Sequence, residues 1–210
     1  MKYRQRQKKN IITKLLEKGI KILLKKECKK ISKIEIDIFA SSLQIIRGTI
    51  EKIFINAEDI NYKDLLFDAI KLEANDVKIK FKINNKELNI INNLILKFQI
   101  SLSETSLKII LSSKNWNWIR DEICKGILNN DFIKDIKLKD NHFFIESSSK
   151  NNNLVRFTKV DIKAVNGKVY LENKEYNKSI EIPIEDKIFI QDVKIINNLI
   201  NIFAESSVIF

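Results

Sequence analysis

Two hydrophobic periods divide the chain. Between about Asn10 and Lys33, apolar side chains recur at three- and four-residue steps, at Ile11, Ile12, Leu15, Leu16, Ile20, Leu23, Leu24, Cys28 and Ile31. Lys14, Lys18, Lys21, Lys25 and Lys29 follow the opposite stripe, so the segment predicts an amphipathic helix. At ~1.5 Å rise per residue it would be roughly 36 Å long. From Ile34 onward the period is two. Ile34, Ile36 and Ile38 alternate with Glu35, Asp37 and Phe39, the pattern of a half-buried strand.

The same reading continues along the chain. Leu43 to Ile55 predicts a second extended stretch with a bulge or bend at Gly48, and the polar run Asn56 to Leu66 predicts a loop or short turn. Ile70, Leu72 and Ala74 are one step out of phase with Val77, Ile79, Phe81 and Ile83, which calls for a bulge near Asn75 and Asp76. Leu94, Leu96, Phe98, Ile100 and Leu102 alternate cleanly after Asn92-Asn93. Ser103-Glu104-Thr105-Ser106 opens a helix, and a second helix is expected over Trp116 to Leu128. Short strands follow near Ile133 to Leu138 and Phe143 to Ser147, then an exposed Ser/Asn loop from Ser147 to Asn153. Leu154 to Val165 and Lys168 to Glu172 flank Asn166-Gly167, a strong hairpin signal, and Asn197-Asn198 separates Ile188 to Ile196 from Leu199 to Phe210. With Ile180 to Ile184, these elements make an α+β chain dominated by antiparallel sheet. The tail and helix of residues 1–33 and the body of residues 34–210 are expected to form one domain.

Composition narrows the classes. With 44% hydrophobic residues among 210, and only four Gly and one Pro, the chain can bury a core and is neither disordered nor collagen-like. The formal net charge of +11 sits entirely in residues 1–33, where 11 Lys, Arg4 and Arg6 face only Glu17 and Glu27. Lys outnumbers Arg throughout, and Ile, Lys and Asn all have A/T-rich codons, so bulk composition is no argument for nucleic acid, whose readers favour the Arg fork. Position is the argument. One reading packs the helix's apolar face on the sheet and leaves its lysines in solvent. A second adds that those lysines, with Lys2, Arg4, Arg6, Lys8 and Lys9, lie on anionic lipid head groups at ~1 kcal/mol per basic residue. Lys14, Glu17, Lys18 and Lys21 interrupt any signal-peptide core, and no run reaches the roughly 20 apolar residues of a membrane span. The expected location is therefore cytoplasmic, attached peripherally to a membrane.

Catalytic chemistry finds no foothold. His142 is the lone histidine, and no nucleophile turn accompanies it. Gly19, Gly48, Gly126 and Gly167 are too scattered for a phosphate-cradling loop. Cys28 and Cys124 fit neither a disulfide framework nor a zinc knuckle, and the acid pairs Glu58-Asp59, Asp121-Glu122 and Glu185-Asp186 lack His or Cys neighbours. No enzyme activity, cofactor or metal is expected. On its helix Trp116 shares a face with Ile119, Ile123 and Ile127. Trp118 falls toward Asp121, Glu122 and Lys125, either as an ordinary exposed ring or as one lying at a membrane surface.

Several segments resemble the LmeA-type phospholipid-binding family, which has many cyanobacterial members. They are Arg47-Gly48-Thr49-Ile50, the stretch IFINAEDINY from Ile53 to Tyr62, Ile70-Lys71-Leu72-Glu73 through Asp76-Val77-Lys78-Ile79, the opener Ser103-Glu104-Thr105-Ser106-Leu107, and the closing strand Leu199 to Val208. The resemblance implies a non-enzymatic lipid binder. By analogy it also implies a tubular lipid-binding fold, with a strongly bent antiparallel sheet wrapped around the long N-terminal helix and two shorter helices in mid-chain. Exported members of that family carry a signal sequence, and residues 1–33 are expected not to act as one. Read this way, an apolar groove lined by Ile70, Leu72, Val77, Ile79, Phe81, Leu96, Phe98 and Ile100 accepts acyl chains. Lys14, Lys18, Lys21, Lys25, Lys29 and Trp118 face the membrane. The expected partners are anionic membrane lipids, with no specific nucleic acid. The alternatives are a nucleic-acid- or ribosome-associated protein using the basic N-terminus, and a structural module whose N-terminal helix docks on a protein.

Overall fold

The computed structural model of the chain describes residues 11–82, 87–149 and 154–209, with the side chains of residues 81–88 left aside. The tail cations Lys2 to Lys9 and the side chain of Phe81 lie outside the described residues. Helix α1 spans Ile11–Glu27 and is followed at once by strand β1, Lys30–Phe39. The expected helix thus ends six residues early. Ile31 pairs with Ile60 in the sheet, and Lys29 N–H donates to Asn61 O, so β pairing captures the last predicted turn.

The next stretch departs most from the two-residue period. Ser42–Ile46 is a short helix, α2, where a strand is expected. Ser41 and Gln44 form a reciprocal capping box: Gln44 N–H donates to Ser41 Oγ, and Ser41 N–H donates to Gln44 Oε1. Gly48 then turns the chain at φ +76°, and its carbonyl accepts from Ile79 N–H at 2.8 Å. A Cβ there would meet Ile79 O at 2.3 Å, so the position requires glycine both for its backbone angle and for its closeness to the neighbouring strand.

Strand β2, Thr49–Tyr62, runs through the expected loop and turns at Lys63-Asp64 into β3, Leu65–Lys82. The polar residues Asn56, Glu58 and Asn61 that suggest a loop lie off the core face of a two-faced strand, while Ala57 and Ile60 are buried. The phase change in β3 is where it is expected. Asp76 takes φ +52°, and the buried positions step from Ala74 to Val77. Strands β4 (Glu87–Ile90) and β5 (Leu94–Leu102) both pair with β3, and Asn92 ties the corner by accepting from Lys78 N–H and donating to Asp76 O.

Helices α3 (Glu104–Ser112) and α4 (Asn117–Gly126) lead to β6 (Phe132–Lys139), β7 (His142–Ser148), β8 (Val155–Val165), β9 (Lys168–Asn173), β10 (Lys178–Ile182), β11 (Ile188–Ile196) and β12 (Leu199–Val208). All pairings are antiparallel. One sheet has the order β1-β2-β3-β5-β12-β11, with β4 beside β3, and the other β10-β9-β8-β7-β6. A bridge from Gly167 to Ile190 links them.

The described chain is therefore α+β and mostly antiparallel sheet, while the contacts of α1 do not show a curved sheet wrapped around it. It packs along β1 and α2 at one edge. The remaining cover over the large sheet comes from α3, α4 and the second sheet, whose Ile136, Ile145, Val160 and Leu171 share a core with Leu102, Ile190 and Ile200. A separate core gathers Leu16 of α1 with Ile34, Ile36, Ile50, Ile53 and Val77.

Candidate functional site

The pairing register lines up one apolar row across the large sheet: Ile36, Ile55, Leu72, Phe98, Ala204 and Ile190. Ile70 pairs with Ile100, and Ala74 with Leu96, so the expected groove residues of β3 and β5 do share one face. They do not share one environment. Val77 and Ile79 are buried, across from Ile50 and Ile90. Ile70 and Leu96 are half-buried against the α1-side core, whereas Phe98 and Ile100 lie against the other core. Leu72 is half-buried and belongs to neither cluster. The brought-together set is thus Ile70, Leu72, Leu96, Phe98 and Ile100, at the seam between the two covering layers.

Two of the concavities among the described residues are lined by polar as well as apolar side chains. The first, about 400 Å³, lies at the hairpin ends of the second sheet and is lined by His142, Asp161, Lys163, Glu172 and Lys174 with Phe143, Val160 and Ile195. Its charges are paired, Lys163 with Glu172 and Lys174 with Asp161, and the Lys174 ammonium holds the Asp161 carboxyl below its ordinary value. His142 stacks on Phe144, at 6.2 Å between ring centroids. The second, about 310 Å³, opens on the polar face of the large sheet among Phe54, Asn56, Lys71, Lys97, Gln99 and Phe203. Of the expected groove residues only Leu72 and Phe98 touch it.

On α1 the structure sorts the apolar stripe into two. Leu16 is buried, Ile20 and Leu24 are half-buried against the sheet core and Ile12 is half-buried, but Ile11, Leu15, Ile22 and Leu23 are exposed. At 100° per residue, Ile11, Leu15 and Ile22 fall within roughly 40° of one another, and Lys14, Lys18, Lys21 and Lys25 occupy the adjoining roughly 60°. All four lysines are exposed, and no described ion pair uses them. Lys29 is separate. It has left the helix and binds Asp64 at 2.6 Å.

Trp118 also stands apart, because α4 packs on α3, β6 and β10 rather than beside α1. It is half-buried, 6.4 Å from Trp116 between ring centroids. Trp116 precedes α4 and donates its indole N–H to Lys63 O at 2.9 Å, a contact that pins the β2–β3 turn. Sequence reading missed α2 and its exposed Leu43 and Ile46; the Ser41-x-x-Gln44 spacing is the signal that could have found it.

No group of three or more His, Cys, Asp or Glu is placed to hold a metal among the described residues. Burial pushes the Cys28 and Cys124 thiols up, away from the thiolate form that reacts. No described helix is long and apolar enough to cross a membrane. Comparison of the chain with protein-family models, curated proteins and solved structures finds no match.

Proposed function

We propose that this protein is a non-enzymatic lipid-binding or lipid-transfer module that attaches to anionic membrane surfaces through α1. The observation that carries the proposal is the concentration of charge. Lys14, Lys18, Lys21 and Lys25 stand exposed in one sector of a helix whose opposite side is fixed to the sheet by Leu16, Ile20 and Leu24. Residues 34–210 carry no net charge, so attraction to a polyanion is confined to this end. A lysine row on a helix suits the diffuse negative potential of a lipid surface, which asks for charge without base-reading geometry.

The ligand half of the proposal rests on the seam residues Ile70, Leu72, Leu96, Phe98 and Ile100, which offer a half-covered apolar strip to an acyl chain. It also agrees with the resemblance to LmeA-type phospholipid-binding proteins. Incubating the chain with phospholipid vesicles, removing the vesicles and extracting the protein for mass spectrometry tests this half. Lipid retained by the wild type and reduced in Leu72→Trp, which fills the strip, supports it; protein that returns lipid-free overturns it.

A further inference from the structure

On the surface of α1 and α2 sits an apolar patch that the lysine row alone does not explain. Ile11 is 77% exposed and Ile46 71%, and Leu15, Ile22 and Leu43 are each more than half exposed. α1 contacts α2, so these exposed side chains stand on two neighbouring helices. The placement of α2 is specific. Its capping box fixes where it starts, Ile45 enters the core under α1, and Gly48 turns the chain out of it against Ile79. With Ile45 directed inward, Leu43 and Ile46 are left outward. Leaving five large aliphatic side chains in water on these two helices is costly at about 25 cal/mol per Å², unless a partner covers them.

We propose that this patch inserts among the lipids of an anionic bilayer, with α1 lying in the interface and α2 as a second anchoring point. The inference rests on the membrane reading above and deepens it, since it changes the contact from charge on head groups to apolar insertion flanked by charge. The bilayer is chosen over a protein groove by charge complementarity. Lys14, Lys18, Lys21 and Lys25 border the aliphatic strip without described ion-pair partners, so they are positioned to meet head-group phosphates as Ile11, Leu15 and Ile22 enter the acyl boundary. α1 cannot span the bilayer, so insertion is shallow.

The test is partitioning of the full chain onto vesicles of phosphatidylcholine with equimolar phosphatidylglycerol, from low salt to roughly 0.5 M, where the Debye length is about 4 Å. Wild-type binding should persist in part at the high-salt end. Leu43→Ser with Ile46→Ser should lower the partition coefficient at least tenfold at every salt concentration, and Ile22→Ser should lower it in the same salt-independent way. Unchanged thermal unfolding of these exposed-site variants keeps the comparison sound. The proposal is overturned if the double variant binds like the wild type while Lys18→Glu with Lys25→Glu abolishes binding, which leaves the electrostatic attachment standing. It is also overturned if the wild type sediments as a dimer without lipid and the double variant as a monomer, because the patch is then an interface between copies. Wild type that binds neither anionic nor neutral vesicles removes the membrane reading itself.

Discussion

Asparagine carries more of this fold than its codons suggest. Among the described residues, the twelve non-glycine positions with positive φ are Asn129, Asn130, Asn141, Asn166, Asn177, Asn197, Asn198, Asp59, Asp64, Asp76, Asp140 and Lys63. Asn and Asp tolerate the left-handed region better than other side chains, and a chain with four glycines depends on them. Four hairpins close on two residues that are both left-handed: Lys63-Asp64, Asp140-Asn141, Asn166-Gly167 and Asn197-Asn198. Two of these were legible in the sequence. Lys63-Asp64 was not, because lysine is a rare occupant of the first position and tertiary contacts support it there: Trp116 binds Lys63 O, while Asn61, Lys29 and Asn115 hold Asp64. Gly48 marks the limit of substitution at this scale. Gly48→Ala should cost at least about 2 kcal/mol, from the left-handed backbone and the collision with Ile79 O, read as a lower urea midpoint with an unchanged slope. A midpoint equal to that of the wild type would show that β2 and β3 can separate there without cost.

Elements reveal why identical peptides acquire different roles. IINNL occurs at Ile90 to Leu94 and again at Ile195 to Leu199. At the second site Asn197-Asn198 makes a tight hairpin turn, with Ile196 paired to Leu199. At the first, Asn92 spends its side chain on β3, because β4 and β5 each pair with β3 rather than with each other. Local sequence is the same; the available partner strand decides. Periodicity likewise located β5, β11 and both middle helices, but extended α1 too far and read α2 as strand, since a five-residue helix is too short to show a 3.6-residue period.

The junction of α3 with β6 offers a measurable ion network. Lys108 Nζ lies 2.7 Å from both Glu104 and Asp135, and Glu104 also accepts from Leu138 N–H at 3.0 Å. The Lys108 ammonium holds both carboxyls below their ordinary values, helped at Glu104 by the Leu138 amide, and Asp135 then Glu104 raise Lys108. A carboxyl with a depressed folded-state value stabilises above its unfolded pKa of about 4 and loses that contribution as pH falls through the depressed value. Glu104→Gln should therefore cost about 1 kcal/mol at neutral pH, and its difference from the wild type should shrink in acid. Urea unfolding from neutral pH to about pH 3 checks both statements; a pH-independent difference would mean that the charge of Glu104 contributes nothing to stability. At the opposite extreme, the raised Lys108 loses its contribution as pH climbs past the ordinary lysine value.

For the molecule as a whole, the charge excess lies in residues 1–33, and α1 within them also carries the exposed Ile11, Leu15 and Ile22. The strand-rich body was legible in the alternation from Ile34 onward, and so was the charge asymmetry. The architecture was not. A period of two identifies which residues of β3 and β5 face inward, but not that a second sheet covers half of that face, buries Phe143, Ile145 and Val160 against it, and leaves Leu72 at the seam. The same limitation applies to α1, where the sequence marks all its apolar residues alike and the fold separates Leu16, buried, from Leu15 and Ile22, exposed. Attachment through α1 would leave the body free to present the seam to lipid.

Flotation of the full chain with vesicles, compared between phosphatidylcholine alone and phosphatidylcholine with phosphatidylglycerol, tests the central claim most directly. The account predicts that the protein floats with the anionic vesicles, and that Lys14→Glu with Lys21→Glu reduces the floated fraction at least tenfold at low salt while leaving thermal unfolding unchanged. Protein that stays at the bottom of the gradient with both vesicle types, or that floats equally with both and is indifferent to the lysine changes, would contradict it.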